Sequence, residues 1–261
     1  MSAPSRIPSW TAYGDGVYVR SLLISTTEPG TVSLAMEDIV HAFQIRMTHG
    51  DGVIRGIDAR WDRDRHPLSS CAGAGLALES LVGCSLASDL FSLGRQADSR
   101  QHCTHMFDML CLAAQHACLG LEDRRYDVVV PDAPGARAVA TLYLNGRSVL
   151  EFEFDDDLRL TRPEPCAGLS ALKGFMGWVR DHVPPADQTL YFVMQKALFV
   201  SRAQKVDLAS MGGLAGTLSG PPPGSCFGSQ SPRFEVSIRT HSLRRFDRSN
   251  FHDVLAFHSP R

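Results

Sequence analysis

The chain predicts an α+β fold, with antiparallel strands and helices packed on one face. Three observations predict it. Short runs rich in Val, Ile, Tyr and Phe are bounded by turn residues. Asp51-Gly52 and Asn145-Gly146 each sit between two such runs, as tight hairpins require. Longer apolar stretches near 105–119 and 186–204 read as helices.

In order, residues 1–12 read as a loose arm and 16–25 as a strand. Glu28-Pro29-Gly30 is a turn. Residues 32–48 read as one strand, whose alternation puts Ile39, His41, Phe43, Ile45 and Met47 on one face and Asp38, Gln44 and Arg46 on the other. Glu37 falls on the side of His41. The turn 49–52 leads to a return strand, 53–61, so the start of the chain is an antiparallel meander with one covered face. The charged run 62–67 ends it. Cys71 precedes a short helix closed by Gly83, and 88–93 adds a helical turn. A helix runs from about His105 to Leu119 and stops at Gly120. Strands follow at 126–130, 137–144 and 148–154. Gly168–Val183 reads as a helix, and Pro184-Pro185 opens another. Residues 1–12 are thus an arm, 13–206 a single domain, 207–232 a mobile Gly/Pro/Ser-rich loop, and 233–261 a peripheral tail or one that reaches a partner subunit.

The 261 residues are 44% hydrophobic and 21% charged, enough apolar material for a sizeable core. A net charge of −2 gives no basic surplus for nucleic acid. No apolar run approaches the roughly 20 residues that span a bilayer. The seven cysteines are odd in number, and the first ten residues have no basic end followed by an apolar run. Both favour free thiols in a reducing cytoplasm. Phosphate-loop, dinucleotide, H-E-x-x-H and G-x-S-x-G motifs are absent, which argues against nucleotide, hydride and serine-hydrolase chemistry.

The densest chemistry lies in Cys103-Thr104-His105-Met106-Phe107-Asp108. On a helix, His105 and Asp108 share a face, so the carboxylate can orient the imidazole for acid–base work. The competing reading is a plain helix start, with Thr104 as cap and Asp108 near the positive end of the dipole. Cys103, at that helix start, tends toward thiolate, or else is a small buried hydrophobe. Cys71 also lies just before a helix, and Cys71, Cys103 and His105 form an alternative metal set with weak spacing. His41 points into an apolar face, where a lone histidine is commonly a core residue, but that face must meet the helices. The run Arg60-Arg63-Arg65-His66 reads as a solvated edge, with a carboxylate or phenolate anchor as the other option. Phe43, Cys103, Met106, Phe107 and Tyr191 are the expected substrate-lining residues.

The segments Glu37-Asp38…His41-Ala42-Phe43, Arg65-His66-Pro67…Cys71…Leu81-Val82-Gly83 and Cys103-Thr104-His105-Met106…Asp108 resemble the bacterial family known as domain of unknown function 2889, over about 16–206. The Cys-Thr-His element is the most specific part. The resemblance implies a place in bacterial breakdown of aromatic compounds, including lignin-derived dimers, and supports His41, His105 and Asp108 as site residues. A looser likeness of shape links the strands and the helix starts at Cys71 and Cys103 to the iron–sulfur scaffold and SufE type of fold.

The leading expectation is a cofactor-independent lyase that releases formaldehyde from a hydroxymethyl-bearing aromatic dimer and leaves a stilbene. His105 acts as acid or base, Asp108 orients it, and His41 is the second proton-transfer group. No cofactor, nucleic acid or membrane is expected. The partner is a small aromatic substrate, with a homodimer left open. The alternatives are a Cys/His metal protein, as hydrolase or cluster scaffold, and a non-catalytic small-molecule-binding subunit.

Overall fold

The computed structural model describes residues 9–62, 65–135, 137–247 and 249–258. Residues 1–8 of the expected arm, and Arg63 of the charged run, lie outside them. The strands are β1 (Val17–Glu28), β2 (Thr31–Glu37), β3 (Ala42–Gly50), β4 (Val53–Trp61), β5 (Arg124–Pro131), β6 (Ala138–Leu144), β7 (Arg147–Phe154) and β8 (Leu160–Arg162). They form one antiparallel sheet of order β4-β3-β2-β1-β5-β6-β7-β8. The helices are α1 (Ser92–Gln96), α2 (Thr104–Leu119), α3 (Phe175–His182), α4 (Pro185–Ser201) and α5 (Gly216–Ser219). The fold is α+β. The Asp51-Gly52 and Asn145-Gly146 hairpins hold all four residues at positive φ, the backbone that type I′ turns need.

Contacts divide the chain into two compact units. One comprises Met1–Ser21, Arg125–Ser210 and Arg244–Val254. The other comprises Leu22–Arg124, Met211–Leu243 and Leu255–Arg261. Residues 13–206, expected as a single domain, contribute to both units, and segments after 207 complete each of them.

In the second unit, the expected single strand 32–48 is two strands. Glu37 pairs with Ala42 at the end of the β2–β3 ladder, and residues 38–41 turn the chain back. The reversal carries no Gly or Pro, and Ile39 and Val40 are buried. The apolar positions shift phase there, from Val32, Leu34 and Met36 to Phe43, Ile45 and Met47, but no glycine or proline marks the break, which is why the stretch reads as one strand. The Asp38 carboxylate makes the turn by accepting the N–H groups of Val40 and His41.

α2 packs on β2 and β3, and Met106, Phe107, Met109, Leu110 and Leu112 are buried. Gly120, at φ 58°, ends it. Cys103 rather than Thr104 occupies the N-cap, and it makes no side-chain cap bond. The expected helix after Cys71 is two 3-10 helices, Ser69–Ala74 and Leu76–Leu81. Gly75, between them, lies so close to β4 that an added Cβ would be 2.2 Å from the Ala59 carbonyl oxygen. Gly75→Ala is expected to cost about 1–3 kcal/mol through this overlap, read as a lower urea midpoint with unchanged slope.

The stretch 207–232, expected as a mobile loop, is folded into helical turns. Met211, Ser219 and Ser229 are buried. Gly216 N–H donates to Ser237 O at 2.6 Å, and Phe227 N–H to His102 O at 2.8 Å. Gly228 approaches Cys71 so nearly that a Cβ would sit 2.6 Å from its sulfur. The glycines here serve close packing rather than looseness. The tail is also not peripheral, since Phe234, Ser237 and Leu255 are buried.

His116, on α2, is buried, and neither ring nitrogen has a hydrogen-bond partner among the described residues. Burial, aided by the Arg124 charge, lowers its pKa below the ordinary 6.5. Because the folded pKa lies below the unfolded one, the unfolded chain binds more protons on acidification. Stability is thus full above 6.5 and falls as pH drops through that value toward the folded pKa. The melting temperature is expected to decline from pH 7 to about 5, and His116→Leu should flatten that slope.

In the first unit, the expected helix 168–183 is confined to α3. Gly168 and Gly174, at φ 83° and 79°, keep the preceding chain out of the helix. Leu169 O instead accepts the Leu160 N–H, and the Ala171 N–H donates to Leu158 O. α4 begins on its proline as expected, and Phe152, Phe175 and Tyr191 pack ring on ring.

Candidate functional site

The turn 38–41 and the start of α2 lie in one unit. Asp38 is fully buried and His41 nearly so. Besides its two backbone bonds, the Asp38 carboxylate Oδ1 meets His41 Nδ1 at 2.9 Å. A carboxylate oxygen accepts, so Nδ1 carries the proton and Nε2 is left as the basic nitrogen. The His105 ring stands 4.0 Å from the His41 ring, centroid to centroid. The sequence placed these two imidazoles on separate elements, and the fold brings them together.

The turn is braced from several sides. Arg65 donates to Asp38 O at 3.2 Å and to Glu37 Oε1 at 3.3 Å. Glu37 Oε2 accepts the Leu255 N–H at 2.6 Å. Ser242 Oγ donates to Val40 O at 2.8 Å. Glu37 thus serves the brace, and Asp38 is the carboxylate that holds His41. Arg65, expected on a solvated edge, is largely buried as the partner of Glu37. His66 is buried too, with Nδ1 on Leu68 O and its carbonyl taking the Thr240 hydroxyl.

Trp61 forms an aromatic wall. Its ring lies 6.2 Å from His41, 5.5 Å from Phe43 and 5.5 Å from His66, and Nε1 donates to Cys71 O. His105 and Asp108 are half-buried one turn apart on the same helix face. Met106 and Phe107 are core residues, Phe107 stacking on His102. Tyr191 belongs to the other unit.

The expected thiolate tendency of Cys103 is reversed. Burial pushes its pKa well above the ordinary thiol value, and that of Cys71 up to about 12. The N–H groups of Met106 and His105 pull Cys103 the other way, but the cost of burying a charge exceeds their effect. Nor do Cys71 and Cys103 join His105 in a ligand cluster. Among the described residues, the one group of three ligating side chains with atoms all within 4.8 Å of one another is Asp38, His41 and His105.

Sequence reasoning missed Asp38 and Trp61 as site residues, and it placed His66 on a solvated edge, with an anchor role as the other option. Asp38 was legible in principle, since Asp followed by two residues and a histidine suits a turn that the Asp side chain closes. No described helix is long and apolar enough to cross a membrane.

Fold and site together define an α+β protein with a buried carboxylate–imidazole pair facing a second, half-exposed imidazole. Residues 23–118 match the family described as Protein of unknown function (DUF2889). The matched region is narrower than the expected 16–206, yet it contains Asp38, His41, Trp61, His66, Cys71, Cys103, His105 and Asp108. Among curated proteins, none matches the chain.

Proposed function

We propose that the protein is a carbon–carbon lyase of cytoplasmic aromatic catabolism, cleaving formaldehyde from a hydroxymethyl-bearing, lignin-type aromatic dimer. The single observation that carries the reading is the His41 imidazole, fixed through Nδ1 by Asp38 and set 4.0 Å from His105. The reaction is redox-neutral. A base takes the hydroxymethyl proton, the bond from the hydroxymethyl carbon to its neighbour breaks, and that electron pair forms the stilbene double bond. An acid protonates the hydroxyl leaving the adjacent carbon, which departs as water.

His41 suits the base, because a buried carboxylate on Nδ1 stabilises the imidazolium that forms. His105 suits the acid, with Asp108 on the same face to support it. The closeness of the two rings gives a short path for returning the proton after each turnover. Trp61, partly exposed, supplies apolar wall for an aryl group, with the fully buried Phe43 packed behind it.

The test is to incubate the purified full chain with a 1,2-diaryl-1,3-propanediol and follow formaldehyde and stilbene together. Equimolar appearance of both, lost in the His41→Gln and His105→Gln variants, supports the reading. Absence of both products across a panel of such diols overturns it.

A further inference from the structure

We propose that Asp38, His41 and His105 form a binding site for one divalent transition-metal ion. The inference goes beyond the lyase reading, and its binding test does not depend on it. It starts from the donor set. Two imidazole nitrogens and one carboxylate oxygen suit the borderline ions zinc, iron(II), manganese and their neighbours, whereas a thiolate-rich site would favour softer ones.

The geometry is near what an ion requires. Bonds of about 2.0–2.2 Å set neighbouring ligands roughly 3.3 Å apart on a tetrahedron. Asp38 Oδ1 and His41 Nδ1 stand at 2.9 Å, so an ion bound by both would take the place of the Nδ1 proton, and the whole group lies within 4.8 Å. Closing the remainder requires a turn of one side chain. His105, at the start of α2, is the least buried of the three, and Asp38 and His41 are held in the turn.

The surroundings are those of a prepared ligand. The Asp38 carboxylate is oriented by two backbone N–H groups, and the turn is pinned by Arg65 and Ser242. Such outer contacts fix the direction in which ligands point. A fully buried carboxylate is costly to keep charged, and a cation beside it offsets that cost. Three protein ligands leave at least one position open for water or a substrate oxygen. In the proposed lyase, an ion there would acidify a bound substrate hydroxyl, whose proton would then pass to solvent rather than to His41.

The experiment uses the full chain, stripped with a chelator, dialysed and titrated calorimetrically with zinc chloride and with manganese chloride. The expected result is one ion per chain, with a higher melting temperature. His41→Ala and His105→Ala should each weaken binding at least 100-fold while keeping the wild-type circular dichroism. Cys71→Ala and Cys103→Ala should leave it unchanged. No stoichiometric binding overturns the proposal, as does binding that survives both histidine changes or is lost with the cysteines. Formaldehyde release by stripped protein that binds no metal leaves the lyase reading standing and removes this one. Tight binding without turnover does the reverse.

Discussion

Replacing His41 by Gln is expected to lower turnover of a hydroxymethyl-bearing diaryl substrate by about 10²–10⁴-fold, the usual worth of a positioned acid or base. Gln keeps a polar group of similar size, so the melting temperature should move little. Asp38→Asn tests the same arrangement one step back. The amide oxygen can still accept the Val40 and His41 N–H groups that form the turn, but it carries no charge to stabilise a protonated His41. Activity should fall with the fold intact. Asp38→Ala removes the acceptor as well, and each buried donor left unpaired costs about 1–3 kcal/mol, so this variant should lose stability along with activity. Steady-state kinetics beside thermal melts separates the two. Full activity in Asp38→Asn would remove Asp38 from the proposed machinery.

Glu37→Gln is expected to give the largest loss of stability from a single conservative change, about 3 kcal/mol. Glu37 is buried against Arg65 and accepts the Leu255 N–H. Breaking a buried ion pair from one side leaves the other charge uncompensated. Arg65 keeps 19% of its side chain exposed, which places the effect at the low end of the range for such breaks. The unfolding midpoint in guanidinium measures the loss. Hydrogen exchange at Leu255 should rise with it, because the charged acceptor becomes a neutral one. An unchanged midpoint would mean that Arg65 finds its compensation elsewhere.

The α+β class, the two type I′ hairpins, the span of α2 and the proline-led start of α4 were all legible from local signals. Each depends on chemistry within a few residues: Asp-Gly and Asn-Gly for turns, Gly120 for a helix end, Pro185 for a helix start. The histidines of the site were legible as residues but not as a pair. His41 and His105 are 64 positions apart in the chain, and nothing in spacing sets the distance between their rings. The reversal at 38–41 was hidden because it carries no Gly or Pro and its two central residues, Ile39 and Val40, are as apolar as the strands they join. The stretch 207–232 was misread because Gly, Pro and Ser signal irregular backbone, and irregular backbone can still be buried and hydrogen-bonded.

By itself, then, the sequence determined which residues could do chemistry and which local elements carry them. Only the tertiary structure decided their use. It gave His41 its partner in Asp38 rather than Glu37, assigned Glu37 to Arg65 and the tail, and buried Cys71 and Cys103 as thiols. The physical reason is the same in each case. Charge state and proton affinity are set by burial and by neighbours within a few ångströms, and those neighbours come from segments that only the folded chain brings together.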